Sequence, residues 1–233
     1  QAMIQPDARD PWHVPMPFTG PDIDQPKIGY CRDTHGYPIH PDIVRNLDRA
    51  AAILEAAGYR VEEIQTPSMN EPAQAWFNVA TLEIKATLDP LVREHGSATI
   101  QTIFDYFYRL SNMVDPMGYM AGIADRTKLL RDWSVLLNKY PLILTPFLMR
   151  PAYSTDYDET FEGFKDLMDS AIYSFGVNYL GLPAGNIPVD LVEGMPSGIQ
   201  IIGQKWREDL LLDAMQAIED ETGVFAHQLW AKQ

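Results

Sequence analysis

The chain has 233 residues, of which 46% are hydrophobic and 21% are charged, and its formal net charge at pH 7 is −14. This composition is that of an ordinary globular protein, and the acidic excess argues against a nucleic-acid partner, because phosphates require clustered Lys and Arg side chains. No apolar run approaches the roughly 20 residues that cross a bilayer, and no signal peptide is visible, so we expect no membrane partner.

The first residues leave open whether the chain begins at its natural start. Two residues precede Met3, so Met3 is a candidate first encoded residue; the alternative is that the chain was cut from a longer protein. The first 26 residues are rich in Pro and Asp, and proline removes a backbone donor and fixes φ. We therefore predict a single unit over residues 1–233, with an extended, irregular lead-in at 1–26 and the packed part at 27–233.

A strand–helix–strand pattern follows the lead-in. The runs "KIGYC" (27–31) and "YRVEEIQTP" (59–67) each predict a short strand. Between them, Pro41 lies in the first turn of a helix that ends at Gly58 and repeats apolar residues at helical spacing. This order predicts parallel strands joined by a right-handed crossover. The one cysteine, Cys31, is interpreted as a buried, inert thiol of a cytoplasmic protein and not as a nucleophile.

The middle of the chain, residues 70–140, has a mostly helical pattern. Its aromatic stripe of Phe104, Phe107 and Tyr108 repeats at helical spacing, which predicts core packing more readily than a cofactor site. The run "PLILTP" (141–146) then predicts a third strand between two prolines.

The last third of the chain is heavily punctuated by Gly and Pro. Residues 160–180 predict one helix, and the runs "AGNIPVDL" (184–191) and "SGIQIIG" (197–203) predict two strands joined by the turn "VEGMP". Gly198 is expected to let the chain pass close to another backbone. A closing helix is predicted over "REDLLLDAMQAIEDETG".

The order of these C-terminal motifs resembles the amidase-signature family. The strings "NYLGLPA", "IPVD", "GMPSGIQIIG" and "REDLLL" occur in the family's order, and "DARDP", the strand–helix–strand unit and "LILTP" fit its second half. That family includes indole-acetamide hydrolases and subunits of tRNA amidotransferases. The resemblance implies an α/β fold, with a mixed central sheet flanked by helices, and amide hydrolysis by the complete enzyme on a small-molecule amide substrate.

The family's catalytic groups do not carry over to this chain. The resemblance implies a Ser–Ser–Lys triad and a Gly/Ser-rich loop of backbone donors, and both lie before the "DARDP"-like segment in the family. Ser97 is interpreted as a helix N-cap and Ser197 as part of a hairpin, while Lys85 and Lys128 lie on amphipathic helices without serine partners. We assign no catalytic residue and predict that this chain alone is inactive.

The resemblance suggests pocket residues instead, and each has packing or backbone hydrogen bonding as an open alternative. Two candidates follow the third predicted strand, two precede the Gly-Pro turn and one lies in the last strand, and loops after strand ends commonly line α/β sites. The candidates are Thr145, Phe147, Tyr173, Asn178 and Gln200. No metal or cofactor is expected: His35 and His40, like Asp7, Asp10 and His13, fit turns better than a ligand set, and no phosphate or dinucleotide loop occurs.

Three hypotheses about the chain stay open at this point. It is a fragment of a complete amidase whose N-terminal half was lost or lies on another chain, a stand-alone non-catalytic remnant or binding subunit, or an unrelated α/β protein. The sequence upstream of Gln1 would separate the first two. If a missing half exists, we expect an uncovered apolar face that is filled by that half or by self-association.

Overall fold

The computed structural model describes residues 6–231, so Met3 lies outside the described residues. Within them, five strands form one mixed sheet in the order β2-β1-β3-β5-β4. The strands are β1 (Lys27–Tyr30), β2 (Arg60–Glu63), β3 (Leu142–Pro146), β4 (Ala184–Val192) and β5 (Met195–Gly203). β1 runs parallel to both β2 and β3, whereas β5 is antiparallel to β3 and β4. The expected mixed α/β sheet is confirmed.

Helices cover both faces of this sheet. They are α1 (Pro41–Ala56), α2 (Asn70–Thr87), α3 (Asp89–His95), α4 (Ala98–Leu110), α5 (Pro116–Lys139), α6 (Phe161–Ser170), α7 (Ile172–Leu180), α8 (Glu208–Thr222) and α9 (Phe225–Trp230), with a 3₁₀ turn at Tyr157–Glu159. Helices α1 and α8 pack on one face, and α2, α5 and α7 pack on the other. Each face therefore has its own apolar core.

The β1–α1–β2 unit follows from local sequence. His40 caps α1 by accepting a hydrogen bond from the Asp42 N–H, and Pro41 occupies the first turn. Leu47 and Leu54 lie on the same helical face and are buried against the sheet. Gly58 then adopts a φ of +95°, which ends the helix. The predicted parallel strands are confirmed.

Strict alternation along β3 sorts its side chains between the two cores. Leu142 and Leu144 belong to the core under α1 and α8, whereas Ile143 belongs to the core under α2, α5 and α7. Thr145 follows two residues after Ile143 and therefore points to the same side. All of these residues are fully buried.

The lead-in contains no helix or strand over residues 6–26. One buried ion pair ties it to the rest of the chain: Arg207 and Asp209 pair at 2.9 Å with their side chains only 12% and 8% exposed. The Gly20 N–H donates to the Asp209 carboxylate at 2.9 Å, and the Arg207 guanidinium donates to the Pro21 carbonyl at 3.0 Å. The end of the lead-in is thus fixed at the start of α8.

The single helix predicted over residues 160–180 is wrong, because two helices, α6 and α7, break at Ala171. The carbonyl of Ser170 accepts a hydrogen bond from the Met149 N–H at 3.0 Å. Met149 lies in the loop after β3, so a distant backbone donor takes a carbonyl at the end of α6. Ala171 has φ −102° and ψ 17°, and α7 starts afresh at Ile172.

The aromatic stripe on α4 packs against core side chains without itself being fully buried, so the expected core packing is confirmed in part. None of the α4 residues is fully buried. Phe107 stacks on Phe77 with ring centroids 4.5 Å apart, and Phe104 meets Tyr108 edge to face at 6.3 Å. Phe107 also meets the buried Phe164 ring edge to face at 6.5 Å, so the stripe packs on core side chains of α2 and α6 at the rim of that layer.

The β4–β5 hairpin is tighter than the predicted five-residue turn. Its turn consists of Glu193 and Gly194, whose φ values of 52° and 82° are both left-handed, as a two-residue hairpin turn requires. A Cβ atom at Gly198 would lie 2.0 Å from the Ile187 carbonyl oxygen. The close backbone approach expected at Gly198 is therefore confirmed.

We predict that Gly198→Ala lowers the free energy of unfolding by about 1–3 kcal/mol, because the added methyl group overlaps backbone atoms that cannot move aside. Gly203→Ala in the same strand is the matched control, since its Cβ would lie an ordinary 3.7 Å from its nearest neighbour. Urea denaturation of both variants and the parent chain measures the difference. Equal stability of the two variants would contradict this account of Gly198.

Candidate functional site

Polar side chains line up across one end of the sheet. The Cys31 N–H donates to the Leu144 carbonyl at 3.0 Å, which extends the β1–β3 pairing and sets Cys31 beside Thr145. Thr145 in turn lies opposite Gln200 in the β3–β5 register. These three residues, named the polar row, face the α2 and α7 side, at the end where the parallel strands β1 and β3 finish.

Unpaired polar atoms concentrate at this end of the sheet. Within residues 6–231, four buried side-chain atoms lack a hydrogen-bond partner: Thr145 Oγ1, Gln200 Oε1, His35 Nε2 and Arg150 Nε. Thr145 is 0% and Gln200 is 3% exposed. His35 and Arg150 lie in the loops that follow β1 and β3. An unpaired buried polar group costs about 1–3 kcal/mol, so such a cluster calls for a ligand, water or a further protein segment.

Tyr173 packs against Cys31 at one end of the polar row. Its hydroxyl donates to the Asp33 carbonyl at 2.8 Å and lies 3.4 Å from Cys31 Sγ. Burial raises the pKa of the Tyr173 hydroxyl far above its ordinary value, so the group stays protonated and acts as a donor. Cys31 is fully buried, as expected, and its Sγ also lies 3.6 Å from Thr66 Oγ1.

His35 lies in a strained loop beside Tyr173. It has a φ of +52°, which is rare for a residue with a side chain, and its ring lies 5.6 Å from the Tyr173 ring. The side chain is 9% exposed, and Nδ1 lies 3.4 Å from Asp33 Oδ2. Burial lowers the pKa of His35, and the Asp33 carboxylate opposes part of that change. A neutral ring whose Nδ1–H faces Asp33 leaves Nε2 as an unpaired acceptor.

An aromatic recess of about 50 Å³ opens beside Ile172 and Phe175 of α7. It lies between the loop after β1 and helices α2, α4, α6 and α7. Its lining residues are Tyr37, Ala73, Gln74, Phe77, Leu110, Met168, Asp169, Ile172 and Phe175. Stacked ring pairs stiffen this wall: Trp76 lies on Phe175 with centroids 4.6 Å apart. The recess is therefore small and rigid, and its lining is at least as polar as it is apolar.

Charged side chains surround the mouth of this recess. Arg150 pairs with Asp166 and lies over the Tyr157 ring at 4.2 Å, and Lys165 pairs with Asp169. Desolvation and the nearby Asp169 carboxylate raise the pKa of Tyr37, which lines both the recess and its mouth. Tyr37 and Asp169 thus connect the recess to the charged side chains at its mouth.

The structure brings some of the predicted pocket residues together and leaves others apart. Thr145 and Gln200 belong to the polar row, Tyr173 contacts its third member, Cys31, and half-buried Phe147 directly follows β3. Asn178 is exposed on α7, and its amide donates to the Ser174 carbonyl at 2.9 Å. It stands five residues after Tyr173, which turns it away from the row on a helix.

The sequence did not single out Tyr37 or Arg150 as site residues, and it placed His35 in an ordinary turn. The only local signal was their position after predicted strands. Whether these side chains turn towards the site depends on the loop path, which short-range patterns do not encode.

Ser97, Ser197 and Lys85, three of the residues considered as catalytic candidates, have other partners. Ser97 caps α4 by accepting from the Ile100 N–H, as expected. Ser197 Oγ accepts from the Asn46 amide at 3.1 Å in the β5 hairpin. Lys85 lies over the Tyr108 ring. These contacts give Ser97, Ser197 and Lys85 structural roles, and the assignment of no catalytic residue stays a prediction.

Neither a metal centre nor a membrane span is found in the part of the chain that the structure describes. Over residues 6–231 there is no group of three or more His, Cys, Asp and Glu side chains that could hold a metal ion. Over the same range, every helix is too short or too polar to span a lipid bilayer.

Solved structures with this arrangement of strands and helices come from several amide-cleaving enzymes. The Kluyveromyces lactis allophanate hydrolase superposes with a TM-score of 0.74 at 17% identity, covering 94% of this chain and 36% of that one. A bacterial aryl acylamidase of the amidase signature family gives a TM-score of 0.66 at 20% identity, covering 86% and 44%. At these identities, the likeness shows the fold.

Sequence relatives are closer. The indoleacetamide hydrolase of Bradyrhizobium diazoefficiens is 34% identical over 99% of this chain and 44% of its own length. The indoleacetamide hydrolase of Bradyrhizobium japonicum is 33% identical over 98% of this chain and 50% of its own length. A glutamyl-tRNA(Gln) amidotransferase subunit from Lactiplantibacillus plantarum is 25% identical over 88% and 46%. The chain thus spans about half the length of the curated relatives it matches.

The family itself is decided by the family model. The model described as Amidase matches residues 1–212, which is most of the chain. This match agrees with the relatives, with the mixed sheet and with the resemblance found in the C-terminal motifs. The chain belongs to the Amidase family.

Proposed function

We propose that this chain forms one wall of the active site of an amide hydrolase whose nucleophile, proton relay and base come from polypeptide outside the chain. The observation that carries the proposal is the pair of unpaired buried atoms, Thr145 Oγ1 and Gln200 Oε1, side by side at the end of β3. A hydroxyl and a carboxamide can hydrogen-bond both ends of an amide group. Family membership and the names of the relatives support the same reaction class.

The proposed substrate contacts are the residues around the polar row. Thr145 and Gln200 would supply hydrogen bonds to the substrate. Tyr173 would cover the Cys31 end of the row, and Phe147 would contribute apolar surface beside the strand end. Asn178 stays a prediction and is the weakest of the five, because its side chain lies at the surface of α7. A pocket wall of this kind orients a substrate but forms no covalent bond with it.

The proposed substrate class is a small amide with an aromatic side chain. The aromatic recess on α7 is small, at about 50 Å³, but Phe77 and Phe175 supply ring surfaces against which the edge of a planar group would pack. The two Bradyrhizobium relatives are named indoleacetamide hydrolases, which points to an arylacetamide. The polar mouth around Arg150 would remain in contact with water.

A second candidate is a stand-alone, non-catalytic remnant or a binding subunit of an amidotransferase-type assembly. The relatives named as amidotransferase subunits favour this alternative, because their names describe one component of several. The same pocket wall would then bind an amide without cleaving it. A cytoplasmic location and the organisation of residues 1–233 as one unit stay predictions in either case.

We predict that the purified chain releases no ammonia from indole-3-acetamide above the uncatalysed rate. Loss of a serine-centred catalytic set typically lowers turnover by on the order of 10⁶-fold, and binding contacts alone do not restore it. A full-length indoleacetamide hydrolase from Bradyrhizobium serves as the positive control in the same ammonia assay. Turnover by the chain that scales with its concentration would contradict the proposal.

We also predict that Thr145→Val leaves the free energy of unfolding unchanged or raises it by up to about 1 kcal/mol. The Thr145 hydroxyl has no partner to lose, so its removal relieves an unpaired buried group. Thr81→Val is the matched control: Thr81 is equally buried, but its hydroxyl donates to the Phe77 carbonyl. We expect that variant to lose about 0.5–1.5 kcal/mol. Urea denaturation compares the two, and a larger loss at Thr145 would indicate a structural hydroxyl.

A further inference from the structure

Helix α5 presents a second apolar face to solvent. Its inward side buries Trp133 and Leu137, each 1% exposed. On the opposite side, Met117, Met120 and Val135 are 70%, 63% and 68% exposed. We define the outward face of α5 as Met117, Met120, Ala121, Ala124 and Val135, together with the charged residues between Ala124 and Val135.

The apolar residues of the outward face lie in line along α5, with Lys128 and Arg131 between Ala124 and Val135. At 100° per residue, Met117, Ala124 and Val135 lie within about 20° of one another and roughly opposite Trp133. A helix that is apolar on two opposite sides is normally covered on both. In the described residues, neighbours cover only the inward side of α5. The exposed methionines are also side chains that adapt well to a partner surface.

The charges on this face form no ion pairs within the chain. None of Asp125, Lys128, Arg131 and Asp132 belongs to an ion pair among residues 6–231. α5 carries four basic and two acidic residues, although the whole chain has a formal charge of −14. A partner that docks on α5 therefore avoids the strong negative field of the remaining surface.

We propose that this face docks a second copy of the chain, with the two α5 helices antiparallel and the two-fold axis passing between Arg126 and Thr127. In that register Asp125 lies opposite Lys128 of the second copy, and the reverse pair forms by symmetry. Met117 comes within one residue of the level of Val135 of the second copy. The small side chains of Ala121 and Ala124 leave room for the helices to approach.

The face suits a protein copy better than a lipid surface. Asp125 and Asp132 are interleaved with Lys128 and Arg131, whereas helices that lie on membranes carry a mostly basic polar side and large aromatic or leucine anchors. The interface is about one helix long, which is small for a specific dimer, so we expect a dissociation constant on the order of micromolar. This inference does not rest on the proposed function.

Sedimentation velocity of the purified chain, over a concentration series spanning the micromolar range, tests the proposal. We expect a reversible monomer–dimer equilibrium, and Met117→Lys raises its dissociation constant at least about tenfold because a charge enters the apolar contact. Leu212→Lys on α8 is the control: Leu212 is 49% exposed outside the proposed interface, and this variant should dimerise like the parent chain. A parent chain that stays monomeric throughout overturns the proposal, as does a dimer that Met117→Lys leaves intact.

Charge reversal tests the register itself. Asp125→Lys and Lys128→Asp each place like charges opposite one another twice per dimer, so each should raise the dissociation constant about tenfold. The double variant restores opposite charges and should return the constant to within a few-fold of the parent value. Failure of the double variant to recover overturns the antiparallel register. Binding of the parent chain to anionic lipid vesicles without dimerisation, abolished by Met117→Lys, would assign the face to a membrane and overturn the proposal.

Discussion

The two-residue alternation along β3 and β5 is the constraint on which the site depends. It directs apolar side chains of both strands into the core under α1 and α8 and places Thr145 and Gln200 together on the opposite side. A shift of either strand by one residue would bring apolar side chains to that position and expose others. The close passage of Gly198 against Ile187 helps to hold this register, because only glycine fits there. The fold therefore maintains two buried polar atoms at a position where apolar atoms would be more stable.

Retention of such atoms is easiest to understand if the sheet end is incomplete in this chain. Four unpaired buried atoms at one end would together cost several kcal/mol in a protein whose net stability is expected to be only about 5–15 kcal/mol. A substrate, or a further segment that carries catalytic groups, would pair them. The alignment to about half of each curated relative fits that interpretation. The pocket wall in this chain and the catalytic groups outside it would then form one site.

Local patterns predicted much of the fold, whereas long-range contacts decided the rest. The first turn at Pro41, the stop at Gly58 and the alternating strands depend on neighbours in sequence, so all three were predicted. The break at Ala171 depends on a hydrogen bond from Met149, more than 20 residues away, and no helical pattern reveals it. Similarly, Thr145 and Gln200 could be proposed from strand ends, but His35 enters the site only because its loop folds against Tyr173. Tyr173 and Asn178 are close in sequence, but they point to different sides of α7, so that only Tyr173 faces the site.

The central claim is that the polar row belongs to an active site completed by polypeptide outside these residues. The intact mass of the polypeptide in its native cell, measured after capture with an antibody against this chain, tests that claim most directly. We predict a species of roughly twice the 26.4 kDa of this chain, with a lysine and a Gly/Ser-rich loop in the additional sequence. A cellular species of 26.4 kDa that copurifies with no second polypeptide bearing those groups would contradict the account.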